Sequence, residues 1–242
     1  MCDILSLVFV FQGVIEMEKI INQFGWILVI VMAVAQLVIF FGLLKKYLYS
    51  RKHVCLYMMF LALALFYEAA AVGIGRFLGT DTLLEILNRI RYILHGLMMP
   101  LLLPVCAYAA EMKDSGKRVI WIVMLICIIA GTVAGRLTRL EPVAAAGTLR
   151  YAAAESTPFW VTAINTYLSL GMTVPVVITG IIMIFKAKTL WMFLAGAAIA
   201  GFSYLGLFTG HNDLRFMIMM AGNLLMTLFF LLYAGKLKRS YL

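Results

Sequence analysis

Seven stretches of this chain are long and apolar enough to cross a lipid bilayer, and that constrains its fold more than any other feature. They are 24–44, 54–78, 90–110, 119–139, 159–185, 190–210 and 215–235. A hydrocarbon core takes about 20 residues of helix to cross. Inside lipid every backbone N–H and C=O must find an internal partner, so runs of this kind fold as helices. The composition agrees, with 64% of the 242 residues hydrophobic and 13% charged. A water-soluble domain of this size cannot hide so much apolar surface. The sequence therefore predicts an all-α, polytopic membrane protein, a bundle of seven transmembrane helices spanning 24–235. Residues 236–242 form a basic tail. Residues 1–23 read as a leader: the apolar run 4–10 is too short to span, and Met17 is an alternative start.

Lysines and arginines near the span ends set orientation. Twelve of the twenty lie on one side, in the 45–53 and 111–118 loops, after the fifth span and in the tail. The other eight lie opposite: Lys19, Arg76, Arg89, Arg91, Arg136, Arg139, Arg150 and Arg215. This asymmetry places the N-terminus outside and the C-terminus inside, in the inner or plasma membrane. Nine of the inner twelve are lysine, whereas seven of the outer eight are arginine. Lysine suits a solvated topology signal; arginine suits fixed pairs with carboxylates or phosphates. Snorkelling to lipid phosphates is the plainer account of the outer arginines. The net charge of +9 is thus read as topology, with membrane lipid as partner and no nucleic acid.

Ionisable residues within the spans are the first candidates for function, because charge in hydrocarbon is expensive. Glu68 sits about nine residues below the outer end of the second span, about 13 Å deep at 1.5 Å per residue. Arg91 lies at the mouth of the third span with His95 one turn below it on the same face. Consecutive spans joined by a short link are neighbours, so Glu68 is expected to pair with His95 or Arg91. A structural ion pair that fixes helix rotation is the competing account. In the fifth span Thr162, Thr166, Ser169 and Thr173 recur on one helical stripe with Asn165 beside it, and Pro175 follows. The seventh span adds Asn223 and Thr227. Hydroxyls at such spacing also serve as plain interhelical hydrogen bonds. Small residues four apart, Gly131 with Gly135 and Gly206 with Gly210, let helices approach closely, within the bundle or across a homo-oligomer seam. The 140–158 segment is read as the one sizeable loop, outer in position and able to fold over the bundle as a lid.

Enzyme signatures are thin. No G-x-S-x-G, H-E-x-x-H or phosphate-cradling glycine loop occurs, and no cofactor is expected. The three histidines lie in different places, and the four cysteines form no metal-ligand spacing and read as packing residues. Ser169 beside His95 is a conceivable nucleophile and base, but no motif supports it.

Arg91-Tyr92 followed by Pro100-Leu-Leu-Leu resembles the third helix of the microbial rhodopsins. The seven spans and outside N-terminus also fit that family. The resemblance covers one helix in seven and implies a shared fold with Arg91 near an outer gate. It does not extend to photochemistry. The family's carboxylates, three and fourteen residues after that arginine, correspond here to Leu94 and Val105. Its retinal-bearing lysine falls where the last span has Asn223 and Leu224, and the first lysine there is Lys236.

The expectation is a small-molecule or ion transporter, or a sensor, with an outward-facing polar site. Glu68, Arg76, Arg89, Arg91, His95, Asn165, Ser169 and Asn223 would bind a small anionic ligand. Arg136, Arg139 and Arg215 would complete an electropositive rim with Arg76 and Arg89. The rivals are a membrane-embedded enzyme acting on anionic lipid headgroups and a non-catalytic membrane subunit. A cavity open to one side favours transport, a slot opening sideways to lipid favours the enzyme, and no cavity favours the subunit.

Overall fold

The computed structural model describes residues 2–209 and 212–237, with side chains described from Ile20 onward except Leu207 and Asn212. Gly210, His211, Lys238 and Arg239 therefore lie outside the described residues, and with them the Gly206/Gly210 pair as a unit. Helix α1 runs Cys2–Ser50, α2 His53–Gly73, with the short α3 Gly75–Leu78 beyond it. Helix α4 (Thr82–Met98) passes through a 3-10 turn at Met99–Leu101 into α5 (Leu102–Ala109). After α6 (Asp114–Leu137) come two strands, then α7 (Phe159–Gly171), α8 (Thr173–Ala187), α9 (Trp191–Phe208) and α10 (Asn212–Gly235).

Among the described residues six helical segments are long and apolar enough to span a membrane: Ile20–Ser50, His53–Leu78, Thr82–Ala109, Asp114–Leu137, Phe159–Ala187 and Asp213–Gly235. A shorter apolar helix, Trp191–Gly206, stands where a seventh full span was expected. The chain is a multi-pass membrane protein, with six candidate spans and this shorter apolar helix among the described residues. Many large apolar side chains face outward, among them Val31, Val34 and Val38 on α1 and Ile122, Ile126 and Ile129 on α6. In lipid such faces carry no solvation cost.

The helix breaks follow proline chemistry. Pro100 and Pro104 have no N–H and crowd the carbonyls four residues back, so the α4–α5 span tightens into its 3-10 turn. Pro175 crowds the carbonyl of Gly171 in the same way, and α7 gives way to α8 at Met172. The third span starts earlier than expected, at Thr82, because its first two turns are amphipathic rather than apolar: Leu84, Asn88 and Arg91 are buried there.

Close helix contact depends on glycine. An added Cβ at Gly131 would stand 2.6 Å from the carbonyl oxygen of Gly96, and one at Gly135 would stand 2.5 Å from that of Tyr92. Gly131 and Gly135 are therefore used inside the bundle, bringing α6 backbone to backbone with α4. Gly196 does the same for α9 against Val176 and Val177 of α8. The half of the bundle away from the hairpin is densely packed: Leu43, Met58, Leu61, Leu102, Met192, Met226 and Phe230 are all below 2% exposed.

The 140–158 segment is not a plain loop. Leu140–Ala145 (β1) and Thr148–Ala153 (β2) form an antiparallel hairpin, closed by Ala146 and Gly147, both at positive φ (53° and 70°). Two adjacent left-handed residues make the turn whose twist matches paired strands. Alanine-rich strands have little intrinsic tendency to pair. Ties to the helices supply the difference. The Thr148 hydroxyl donates to the Val72 carbonyl (2.7 Å), and the Ala146 N–H donates to Asp213 Oδ1 (3.0 Å). The Ala153 N–H donates to the Tyr92 hydroxyl (2.9 Å), and Arg91 donates to the Tyr151 carbonyl (3.0 Å). The hairpin lies over that end of the bundle, the covering position anticipated for a lid.

Candidate functional site

Two helix-borne side chains meet in the middle of the bundle because α2 and α4 pack side by side. His95 Nδ1 lies 3.9 Å from Glu68 Oε2. The other ring nitrogen, Nε2, is 2.9 Å from Ser169 Oγ on α7. Ser169 Oγ also lies 2.8 Å from the Asn165 carbonyl one turn back, to which it can donate. A carboxylate, an imidazole and a hydroxyl thus form one chain across three helices. Of the two partners proposed for Glu68, His95 is within ion-pair reach. Arg91, only 5% exposed, spends a guanidinium N–H on the hairpin instead.

The chain of polar groups borders two adjoining cavities. The larger, of about 310 Å³, lies between α4, α7, α9 and α10, and the smaller, of about 160 Å³, between α4, α7 and the hairpin. Glu68, His95, Ser169 and Arg150 line both. Arg91, Tyr92 and Asn165 complete the smaller lobe. The larger is walled by Met99, Ile199, Phe216, Met219 and Met220, with Ser203, Asn223 and Arg215 as its further polar groups. This space exists because α8 packs closely on α9 whereas α7, redirected at Gly171, packs on α6 and barely touches α9.

Arg150 is the side chain that sequence reasoning passed over as a site residue. It sits on β2, opposite Val143, and enters the bundle from the hairpin. Its guanidinium carbon lies 4.2 Å from the centre of the Phe216 ring. Its Nε is buried without a hydrogen-bond partner, and among the described residues no carboxylate lies within ion-pair distance of it. Burial, and then the positive charge of Arg91, pull its pKa down to about 10. At neutral pH it stays protonated. Nothing in the local sequence marks Arg150, since only the hairpin register sends this side chain inward.

Six of the eight predicted site residues line these cavities: Glu68, Arg91, His95, Asn165, Ser169 and Asn223. Arg76 and Arg89 do not. Arg76 is exposed and donates to the Gly147 carbonyl (3.4 Å), stitching the hairpin turn to α3. Arg89 pairs with Glu85 (3.1 Å) and reaches the Arg136 and Thr138 carbonyls. Long arginines at helix ends find backbone carbonyls before they find an open rim. The hydroxyl stripe on the fifth span also divides: Thr162 and Thr166 are exposed, and Thr173 is turned back to the Leu170 carbonyl (2.7 Å). Only Ser169 reaches the cavities. Thr227 bonds Gln36 of α1 (2.8 Å), an interhelical tie. No protein-family model matches the chain, and no curated protein is similar to it by sequence.

Proposed function

We propose that this protein is a receptor-type sensor of a small anionic ligand, held in the half of the bundle beneath the hairpin. The observation that carries the reading is Arg150: a half-buried, protonated guanidinium, its Nε buried without a hydrogen-bond partner and no carboxylate within ion-pair distance among the described residues, facing a cavity. Buried charges are normally paired, and an unpaired one invites an anion. Arg91 and Arg215 add positive charge against Glu68, the one carboxylate among the described residues that lines these cavities. Packed side chains such as Leu61, Leu102 and Phe230 fill the bundle below, which supports sensing over a continuous transport path. The breaks at Met99–Leu101 and at Met172 are places where ligand-driven tilts of α4 and α7 would be absorbed.

The test is thermal stability of the purified protein against a panel of small carboxylates and phosphates, with neutral and cationic analogues alongside. Anions are expected to raise the melting temperature saturably, and Arg150→Gln to remove the effect. A panel without any anion response would overturn the reading.

One observation favours a second reading. Ser169, His95 and Glu68 have the order of nucleophile, base and orienting carboxylate, which suits an enzyme cleaving an ester near an anionic headgroup. The 3.9 Å gap to Glu68 and the alternative acceptor at Asn165 weigh against it. A fluorophosphonate probe is expected to leave Ser169 unmodified, and a specific adduct there would exchange the two readings.

Orientation belongs to the same proposal. The hairpin end is taken as the outer face of the inner or plasma membrane, from the charge asymmetry. Cysteines introduced near Thr148, at the exposed hairpin residue Ala144, and at Ser115 should label from outside and inside respectively. The reverse pattern would turn the site towards the cytoplasm.

A further inference from the structure

The two lobes share Glu68, His95, Arg150 and Ser169, and only the larger adds a wall of aliphatic, thioether and phenyl side chains, so a ligand occupying both meets different surroundings at its two ends. The smaller lobe gathers Arg91, Arg150, His95, Asn165 and Ser169 around one carboxylate, Glu68, so its cationic and donor groups outnumber its single acid. The larger lobe is walled by Met99, Ile199, Phe216, Met219 and Met220. We infer that the ligand is an amphipathic anion, with a carboxylate or phosphate head in the smaller lobe and an apolar body in the larger. This rests on the sensor reading above and adds the class of ligand to it.

The head position follows from Arg150. It stands at the junction of the lobes, and its free Nε and unpaired charge can serve an anion that enters from the larger lobe. The Asn165 amide, which gives one N–H to Thr138 Oγ1 (3.1 Å), keeps a second beside it, and guanidinium binds planar oxyanions through paired N–H groups. The body position follows from the methionines. Unbranched thioethers adapt to apolar shapes and mark surfaces that accept varied apolar ligands. A hydrophilic anion such as free phosphate would leave that wall facing empty space or disordered water. A neutral hydrocarbon would leave Arg150 as it is now, with its Nε buried and unpartnered.

Such an anion can reach the site from water, past Arg215, or from the bilayer, through the gap between α7 and α9. Both sources present the same chemistry. The measurement separates them while testing the class.

The protein in nanodiscs is titrated with octanoate, octanol, acetate and inorganic phosphate, with melting temperature as readout. Octanoate is expected to bind at least about tenfold more tightly than the other three, a gap of about 1.4 kcal/mol per tenfold. Ile199→Phe, which narrows the apolar lobe, should weaken octanoate and leave the response to phosphate unchanged. Arg150→Gln should weaken both. Octanol binding as well as octanoate would overturn the anionic head. Acetate and phosphate matching octanoate would overturn the apolar body while leaving the anion-sensor reading intact. No response to any of the anions would remove both. Oleate carried in the nanodisc lipid and competing with octanoate supports the class with the bilayer as source. Octanoate binding untouched by oleate supports it with water as source.

Discussion

Gly131→Val is expected to cost about 3 kcal/mol, the upper end for overpacking a close contact. The reason is backbone against backbone. A Cβ at residue 131 would meet the Gly96 carbonyl oxygen at 2.6 Å and the Leu168 side chain at 2.7 Å. A flexible side chain could move aside, but a helix backbone cannot move without carrying its whole span. Helices α4 and α6 would have to part, and α4 carries both Arg91 and His95. The substitution should therefore lower the melting temperature and also blunt any ligand response. Gly201→Ala is the control, since a Cβ there has no atom within 4 Å. In a helix interior that change should be neutral or stabilise by about 0.5–1 kcal/mol. If Gly131→Val and Gly201→Ala melt alike, the tight α4–α6 crossing does not exist as described.

The helices were legible in the sequence because lipid allows few alternatives. A run such as 119–139 has to be a helix, and α6 covers most of it. Packing within the bundle was legible at Gly131 and Gly135, where two small residues share a face. Depth and chain order put Glu68 beside His95 or Arg91 but did not choose between them; the 3.9 Å approach of His95 comes from the structure. Three features were not legible. The hairpin has a sequence rich in alanine, and its strands are held by Thr148, Arg91 and Tyr92 reaching across 60 or more residues. No local pattern encodes those ties. Arg150 was counted as a loop charge, because its inward direction depends on strand register, and a shift of one residue would turn it outward. The exposure of Thr162 and Thr166 depends on how α7 is angled away from α8 by the break that follows it at Gly171–Met172. Helical periodicity says which residues share a face but not what that face meets.

Glu68→Gln should be the most damaging single change in the cavities. Among the described residues Glu68 is the one carboxylate lining them, and it faces Arg150, His95 and Arg91. Removing it takes the nearest negative charge from His95 and the longer-range one from Arg150 and Arg91; in this half-buried site the cost is about 1–3 kcal/mol, below that of breaking a sealed pair. Arg150→Gln alone has the opposite expectation. Burial and Arg91 already depress the Arg150 pKa to about 10, so the folded state disfavours its charge. The sign follows: a base whose pKa is lowered on folding destabilises the fold while protonated, and this eases as pH rises through about 10. Replacing it with glutamine should leave the ligand-free protein as stable as before, or more so. The double variant, Glu68→Gln with Arg150→Gln, should then recover most of what Glu68→Gln lost. Arg91→Gln should not rescue in this way, because it also removes the bond to Tyr151 that holds the hairpin down. The measurement is a double-mutant cycle on unfolding free energy in detergent, with a coupling of more than about 1 kcal/mol expected for Glu68 with Arg150. Strict additivity would mean that the two charges do not sense each other, and that the cavity between them is not one electrostatic site.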